Sequence, residues 1–231
     1  MGKDKLARWA EMKTFKNVIE PPVREVLSKD HPVKGNWNKL VFNNDNPVIL
    51  ELGCGKGEYT VGLASRFPEN NYIGVDIKGA RMWRGSKTAH ENNILNASFL
   101  RTRIEFIRSF FSGNEVDEIW ITFPDPQPKI RDAGKRLTSP PFLNSYREIL
   151  KDGGIIHLKT DNKDLWSYTG KVVKNNHLET VISTDDLYSG EISNDILAIR
   201  THYEKIFLKQ GIKICYLAFR LEKNKLITDN G

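Results

Sequence analysis

The stretch "LELGCGKGEY" (Leu50 to Tyr59) limits the possible folds more than any other. A short apolar run, "VILEL", meets glycines at 53, 55 and 57 and continues as "YTVGLASRF" at helical spacing. A strand that passes through a glycine-rich turn into a helix opens a βα unit, and glycine lets the backbone approach a ligand closely. The rhythm then repeats. "NYIGVDI" precedes "ARMWRGSKTAHENN", "ASFLR" precedes "IEFIRSFF", "VDEIWITF" precedes "SPPFLNSYREIL", and "IIHLKT" precedes "DLWSYTGKVVKNN". Strands alternating with helices predict a mostly parallel sheet covered on both faces. The end departs from the rhythm. "LETVIST" reads as a strand, residues 194–209 as a helix with Ile196, Ile199, Tyr203, Ile206 and Phe207 on one face, and "IKICYLAFRLE" as a long last strand. Such a strand can enter antiparallel between its neighbours.

The spacing within the loop separates ligands. A dinucleotide fingerprint has G-x-G-x-x-G and seats a pyrophosphate on the helix N-terminus. Here the order is E-x-G-x-G-x-G, with Glu51 just before the turn. A carboxylate there repels pyrophosphate and suits a ligand with an amino group or a cationic centre. No G-K-[S/T] follows, so the loop is not a Walker motif. Asp76, ending "GVDI", stands where an acid accepts ribose hydroxyls.

Residues 1–45 differ from residues 46–231. Lys3, Lys5, Arg8, Lys13 and Lys16 crowd a start that is broken by Pro21-Pro22 and closed by "NNDNP". This predicts a basic N-terminal arm with short helices beside one α/β domain. The net charge of +6 over 231 residues points to an anionic partner, with nucleic acid the commonest. The two cysteines and five histidines show no metal-ligand spacing, so no metal site is expected. Reduced cysteines, no apolar run of the ~20 residues that span a bilayer and no secretory signal pattern together predict a cytoplasmic protein.

The fourth long strand ends abruptly in "ITFPDPQPK", where three prolines surround Asp125. The basic run "KIRDAGKR" follows, and its Lys129, Arg131, Lys135 and Arg136 are expected to meet the phosphates or the base of a nucleic-acid substrate. The prolines restrict the backbone and hold the acid in place.

Taken together and in order, "LELGCGKGEY", "GVDI", "FPDPQPKIRDAGKRL", "KTDN" and "THYE" resemble the bacterial tRNA (guanine-N(7)-)-methyltransferases, with the match running from about Pro47 to the last strand. The resemblance implies a Rossmann-like class I methyltransferase with a seven-stranded sheet, S-adenosylmethionine as cofactor and tRNA as substrate. Oligomeric state is left as monomer or homodimer. Residue by residue, Glu51, Gly53, Gly55, Asp76, Arg103 and Asp125 fall at the family's cofactor positions. Asp125 also falls at its proposed catalytic acid. Lys129, Asp161, Thr201, His202, Tyr203 and Glu204 fall where the family holds RNA. Three positions depart from the usual pattern. Gln127 stands for tryptophan, Asp132 for histidine, and Arg103 for Asp or Asn.

Guanine N(7) has a free lone pair and needs no general base. The expected role of Asp125 is therefore to orient the base and stabilise its developing positive charge. Thr201 and Glu204 are expected on the polar face of the last helix, within reach of a guanine edge. Alternatives are a methyltransferase acting on another RNA base or an exocyclic amine, and a non-catalytic RNA-binding protein of this fold. The amine-directed enzymes usually carry Asn/Asp-Pro-Pro-aromatic where this chain has Pro-Asp-Pro-Gln.

Overall fold

The computed structural model describes residues 3–189 and 199–229. Helix α1 (Lys3–Met12), strand β1 (Val18–Ile19) and helix α2 (Val23–Ser28) form the start of the chain. Next come β2 (Val48–Leu52), α3 (Glu58–Arg66), β3 (Asn71–Asp76), α4 (Gly79–Glu91) and β4 (Ala97–Arg101). They are followed by β5 (Val116–Thr122), α5 (Pro140–Ile149), β6 (Leu150–Thr160) and α6 (Lys163–Asn175). The chain closes with β7 (Thr180–Thr184), α7 (His202–Lys209) and β8 (Cys215–Leu221).

The strands form one sheet in the order β1-β4-β3-β2-β5-β6-β8-β7. Strands β1 to β6 run parallel, and β8 enters antiparallel between β6 and β7, as the break in the sequence rhythm predicts. Strand β2 is buried along its whole length, as a central strand covered on both faces must be. The expected seven strands gain an eighth, β1. Two residues are too short to leave an apolar pattern, yet Val18 and Ile19 pair with Phe99 and Leu100 at the sheet edge. "IEFIRSFF" forms a short 3-10 turn over Ile104–Ser109 in place of an α-helix. The "KDGG" stretch belongs to β6, with Gly153 at a φ of 69° where the pairing with β5 slips register.

The first 45 residues supply Met12, Phe15, Val26, Val33, Trp37 and Phe42 to the buried core. Glu11 of α1 accepts from the Trp83 indole at 2.7 Å and pairs with Lys87 at 2.6 Å, both on α4. Arg101, at the end of β4, stacks on Trp9 at 4.6 Å and pairs with Glu20. These contacts set α1 beside the C-terminal ends of β3 and β4. Among the described residues no helix is long and apolar enough to cross a membrane, and no cluster of His, Cys, Asp and Glu could hold a metal ion.

Candidate active site

Strand order reverses between β2 and β5, and the carboxyl ends of these strands open onto a crevice. Gly53 leaves β2 at a φ of 77°, which a side chain disfavours. Its N–H and that of Cys54 both donate to the Val75 carbonyl on β3, at 2.8 and 3.1 Å. Gly57 caps α3, and a Cβ there would lie 2.5 Å from the Phe99 ring. The third glycine therefore lets the loop close onto its neighbours, while the first two line the crevice.

Glu51 sits beneath this loop, 3% exposed. The Thr60 N–H (2.9 Å) and hydroxyl donate to one carboxylate oxygen, and the Thr122 hydroxyl donates to the other. Burial pushes the Glu51 pKa up to about 7, against the pull of these donors and with a further push from Asp76. Asp76 stands at the end of β3. One oxygen accepts the Gly55 N–H at 2.9 Å and the other the Lys78 N–H at 2.7 Å. A carboxylate oxygen can accept two hydrogen bonds, so Asp76 keeps acceptor capacity toward the crevice.

The crevice has two lobes that share Gly53, Asp76, Gln127, Lys135 and Leu137. The first, of about 660 Å³, has apolar walls from Ile77, Ile104, Leu137 and Phe142, and Arg103 stands at its edge. Arg103 is half exposed and 3.9 Å from Glu105, so its charged end is turned to solvent and to an acid. The second lobe, of about 600 Å³, brings together Glu51, Asp76, Asp125, Asp161, Thr201 and Tyr203. Burial raises the Asp161 pKa above the ordinary aspartate value.

Asp125 is exposed, three residues beyond β5. It is bracketed by Phe123 and Gln127, both left-handed at φ of 49° and 46°. Such a conformation is rare for a bulky residue and costs roughly 1–3 kcal/mol. Phe123 is held there by donating its N–H to the Lys159 carbonyl at 2.7 Å. Asp125 accepts the Gln127 N–H at 3.1 Å. Arg136 donates to the carbonyls of Pro126 (3.2 Å) and Gln127 (3.1 and 3.3 Å), and stacks on Tyr168 at 4.3 Å. The loop is thus clamped through its backbone, with no aromatic needed at 127.

Arg136 corrects one expectation. Its place in the basic run groups it with the RNA-facing cations, but its guanidinium ties down the proline loop. Lys129, Arg131 and Lys135 are exposed, and Asp132 pairs with Lys135 at 2.7 Å. Lys129 lies on the outer surface with Pro128, Ile130 and Arg131, apart from the two lobes.

A second correction concerns α7. It begins at His202, not at 194. Ile196, placed by periodicity on its apolar face, lies outside the described residues. Thr201 is the helix cap, and with Glu204 it forms a capping box, each side chain accepting the other's N–H at 3.3 Å. Glu204 is not on an open polar face. It is fully buried, paired with Lys159 at 2.8 Å and accepting the Tyr188 hydroxyl at 2.6 Å. His202 and Tyr203 are exposed, and Tyr203 lies under Lys56 at 5.8 Å. Glu58, in the first turn of α3, accepts the His202 N–H at 2.7 Å and joins the glycine-loop helix to α7. Glu58, Lys159 and Tyr188 escape sequence reasoning because their partners are distant in the chain. T-x-x-E, however, is itself a capping signature.

A family model described as "Putative methyltransferase" matches residues 45–217. A tRNA (guanine-N(7)-)-methyltransferase of Bacteroides thetaiotaomicron is 46% identical over 99% of this chain and 90% of its own length. The chain belongs to the tRNA (guanine-N(7)-)-methyltransferase family. Another family member, from Porphyromonas gingivalis, is 51% identical over 91% of this chain and 86% of its own length. Solved structures extend the likeness of this methyltransferase to its fold. The 16S rRNA methyltransferase KamB superposes with a TM-score of 0.60 at 13% identity, over 79% of this chain and 91% of its own. A 16S rRNA (adenine(1408)-N(1))-methyltransferase of Catenulisporales acidiphilia gives a TM-score of 0.57 at 14% identity, over 90% and 97%.

Proposed function

We propose that this chain transfers a methyl group from S-adenosylmethionine to N(7) of a guanine in tRNA, in the variable loop by family resemblance. The observation that carries this reading is the second lobe. Its polar lining holds five carboxylates, Glu51, Glu58, Asp76, Asp125 and Asp161, beside Lys56, Lys78, Arg81 and Lys135. The buried Glu51 carboxylate next to the glycine loop is what fits a cationic cofactor there and disfavours a pyrophosphate. S-adenosylmethionine supplies a methyl group on a positively charged sulfur, ready for in-line displacement by a nitrogen lone pair.

The chain's own residues divide the work. Gly53 and Gly55 keep the loop thin, and Asp76 accepts from ribose hydroxyls. The walls of the first lobe, Ile77, Ile104, Leu137 and Phe142, enclose a planar base. Arg103 has no acceptor to offer an adenine amino group, so its contribution is the backbone at the head of the 3-10 turn. Glu51, with one acceptor position left on the oxygen bonded by Thr122, holds an amino group. Asp125 orients the guanine and stabilises charge as it develops, in a loop whose geometry is fixed beforehand. Positioning of this kind can be worth roughly 7–11 kcal/mol. Asp161, Thr201, His202 and Tyr203 form the opposite rim against the RNA. Lys129, Arg131 and Lys135 carry its phosphates outward.

A tRNA transcript made with 7-deazaguanosine tests this directly, because carbon replaces the nucleophilic nitrogen. The deaza transcript is expected to bind and to accept no methyl. Methylation of it at the normal rate would refute the assignment of N(7).

A further inference from the structure

Lys159 is an unusual residue for a strand interior. It is fully buried in β6, where a lone ammonium is costly unless paired. Its ammonium lies 2.8 Å from Glu204 Oε1 and 3.1 Å from the Ile199 carbonyl, with the Tyr59 and Tyr188 rings 5.3 and 5.9 Å away. Glu204 is equally buried and is held further by the Tyr188 hydroxyl and the Thr201 N–H. These contacts converge on residues 199–204, whose Thr201 and Tyr203 line the lobe that Asp125 also lines. The backbone of the same lysine reaches the other rim. Its carbonyl accepts the Phe123 N–H at 2.7 Å where the proline loop begins, and the Phe123 ring packs on Phe207 of α7 at 5.9 Å.

We infer that Lys159 is a positioning residue for methyl transfer, joining the Asp125 loop through its carbonyl to the 199–204 rim through its ammonium and Glu204. Glu204 then acts through Lys159, not on the guanine. Turning its carboxylate outward would break a fully buried ion pair, and breaking such a pair from one side is strongly destabilising. The inference rests on the proposed tRNA methylation.

The test measures S-adenosylmethionine binding sites per chain and single-turnover tRNA methylation per binding site. It compares wild type, Lys159→Met and the double variant Lys159→Met with Glu204→Gln. The single variant is expected to fall about 100-fold per site, the scale of a roughly 1 Å misplacement. The double variant recovers most of that loss, because the glutamine oxygen can accept the Thr201 N–H while its NH2 donates to the Tyr188 hydroxyl, and no charge is left unpaired. A purely structural lysine would lower the melting temperature and the number of sites, and leave the rate per site unmoved. A wild-type rate per site in Lys159→Met overturns the inference. So does a double variant that folds and binds cofactor but stays as slow as the single one, since Glu204 then touches substrate. Where Lys159→Met does not fold, Tyr188→Phe carries the test: a several-fold lower rate per site supports the inference and an unchanged rate overturns it. Wild-type protein that binds cofactor and methylates no tRNA would instead overturn the function itself.

Discussion

Glu51 lies in β2 and Asp125 just beyond the neighbouring β5, at one end of the sheet, yet the fold buries the first and exposes the second. Threonine hydroxyls and one N–H hold Glu51, and burial raises its pKa to about 7. The Asp125 carboxylate accepts a backbone N–H, that of Gln127. Two left-handed residues and the Arg136 clamp aim it across the second lobe. The contrast separates two tasks. A tuned, buried acid suits a ligand that stays bound and brings its own positive charge. A solvated acid on a stiff loop suits a base that arrives from outside and becomes positive only during reaction.

Substitutions can break that division. Asp125→Ala is expected to have the largest effect, with methyl transfer falling about 100- to 1,000-fold, the range for removing one preorganised electrostatic interaction. Its cofactor affinity should change little. An equal drop in cofactor binding, measured by calorimetry, would give the two acids the same task.

Glu51→Gln comes next, and its signature is pH dependence. Wild-type Glu51 ionises only near pH 7. Affinity for a cationic cofactor should therefore rise from pH 6 to 7.5, by up to about tenfold per unit below the pKa. The glutamine variant should bind more weakly with a flat profile. Stability has the opposite sign. The folded chain keeps a proton on Glu51 between pH 4.5 and about 7 that the unfolded chain has released, so this contribution falls as pH rises through that window. The fall is roughly 3 kcal/mol at most. Melting curves of wild type and Glu51→Gln should draw apart across that window in the variant's favour. Parallel curves would mean that Glu51 titrates elsewhere.

The smallest effect concerns the basic start of the chain. Deleting residues 1–16 would also remove Met12 and Phe15 from the core, so charge reversal is the cleaner probe. Lys13 and Lys16 are exposed. Lys13→Glu with Lys16→Glu should lower the salt slope of tRNA binding by about 0.7–0.9 for each phosphate that is no longer neutralised. An unchanged slope would place these lysines away from the RNA.

The parallel sheet, the glycine loop and the inserted last strand are legible in the sequence because each leaves a local, periodic trace. The same locality explains what is not. Periodicity gives the last helix the wrong length and turns Glu204 outward, although "THYE" carries the signature of a cap at Thr201 that starts the helix at His202. Pairing of Lys159 with Glu204 depends on β6 and α7 meeting in space, which no spacing along the chain encodes. Arg136 reads as one more cation in a basic run because its acceptors are backbone carbonyls, which no side-chain pattern reveals. Gln127 replaces the family's usual tryptophan, yet the loop is held through its main chain, by the Phe123 N–H and the carbonyls that Arg136 engages.

The most direct test is nucleoside analysis of unmodified tRNA after incubation with the protein and S-adenosylmethionine, resolved by mass and retention. One new nucleoside, 7-methylguanosine, is expected, and it is absent at short times when Asp125→Ala replaces the wild type. Methyl groups found on an exocyclic amine, on another base, or not on tRNA at all would contradict it.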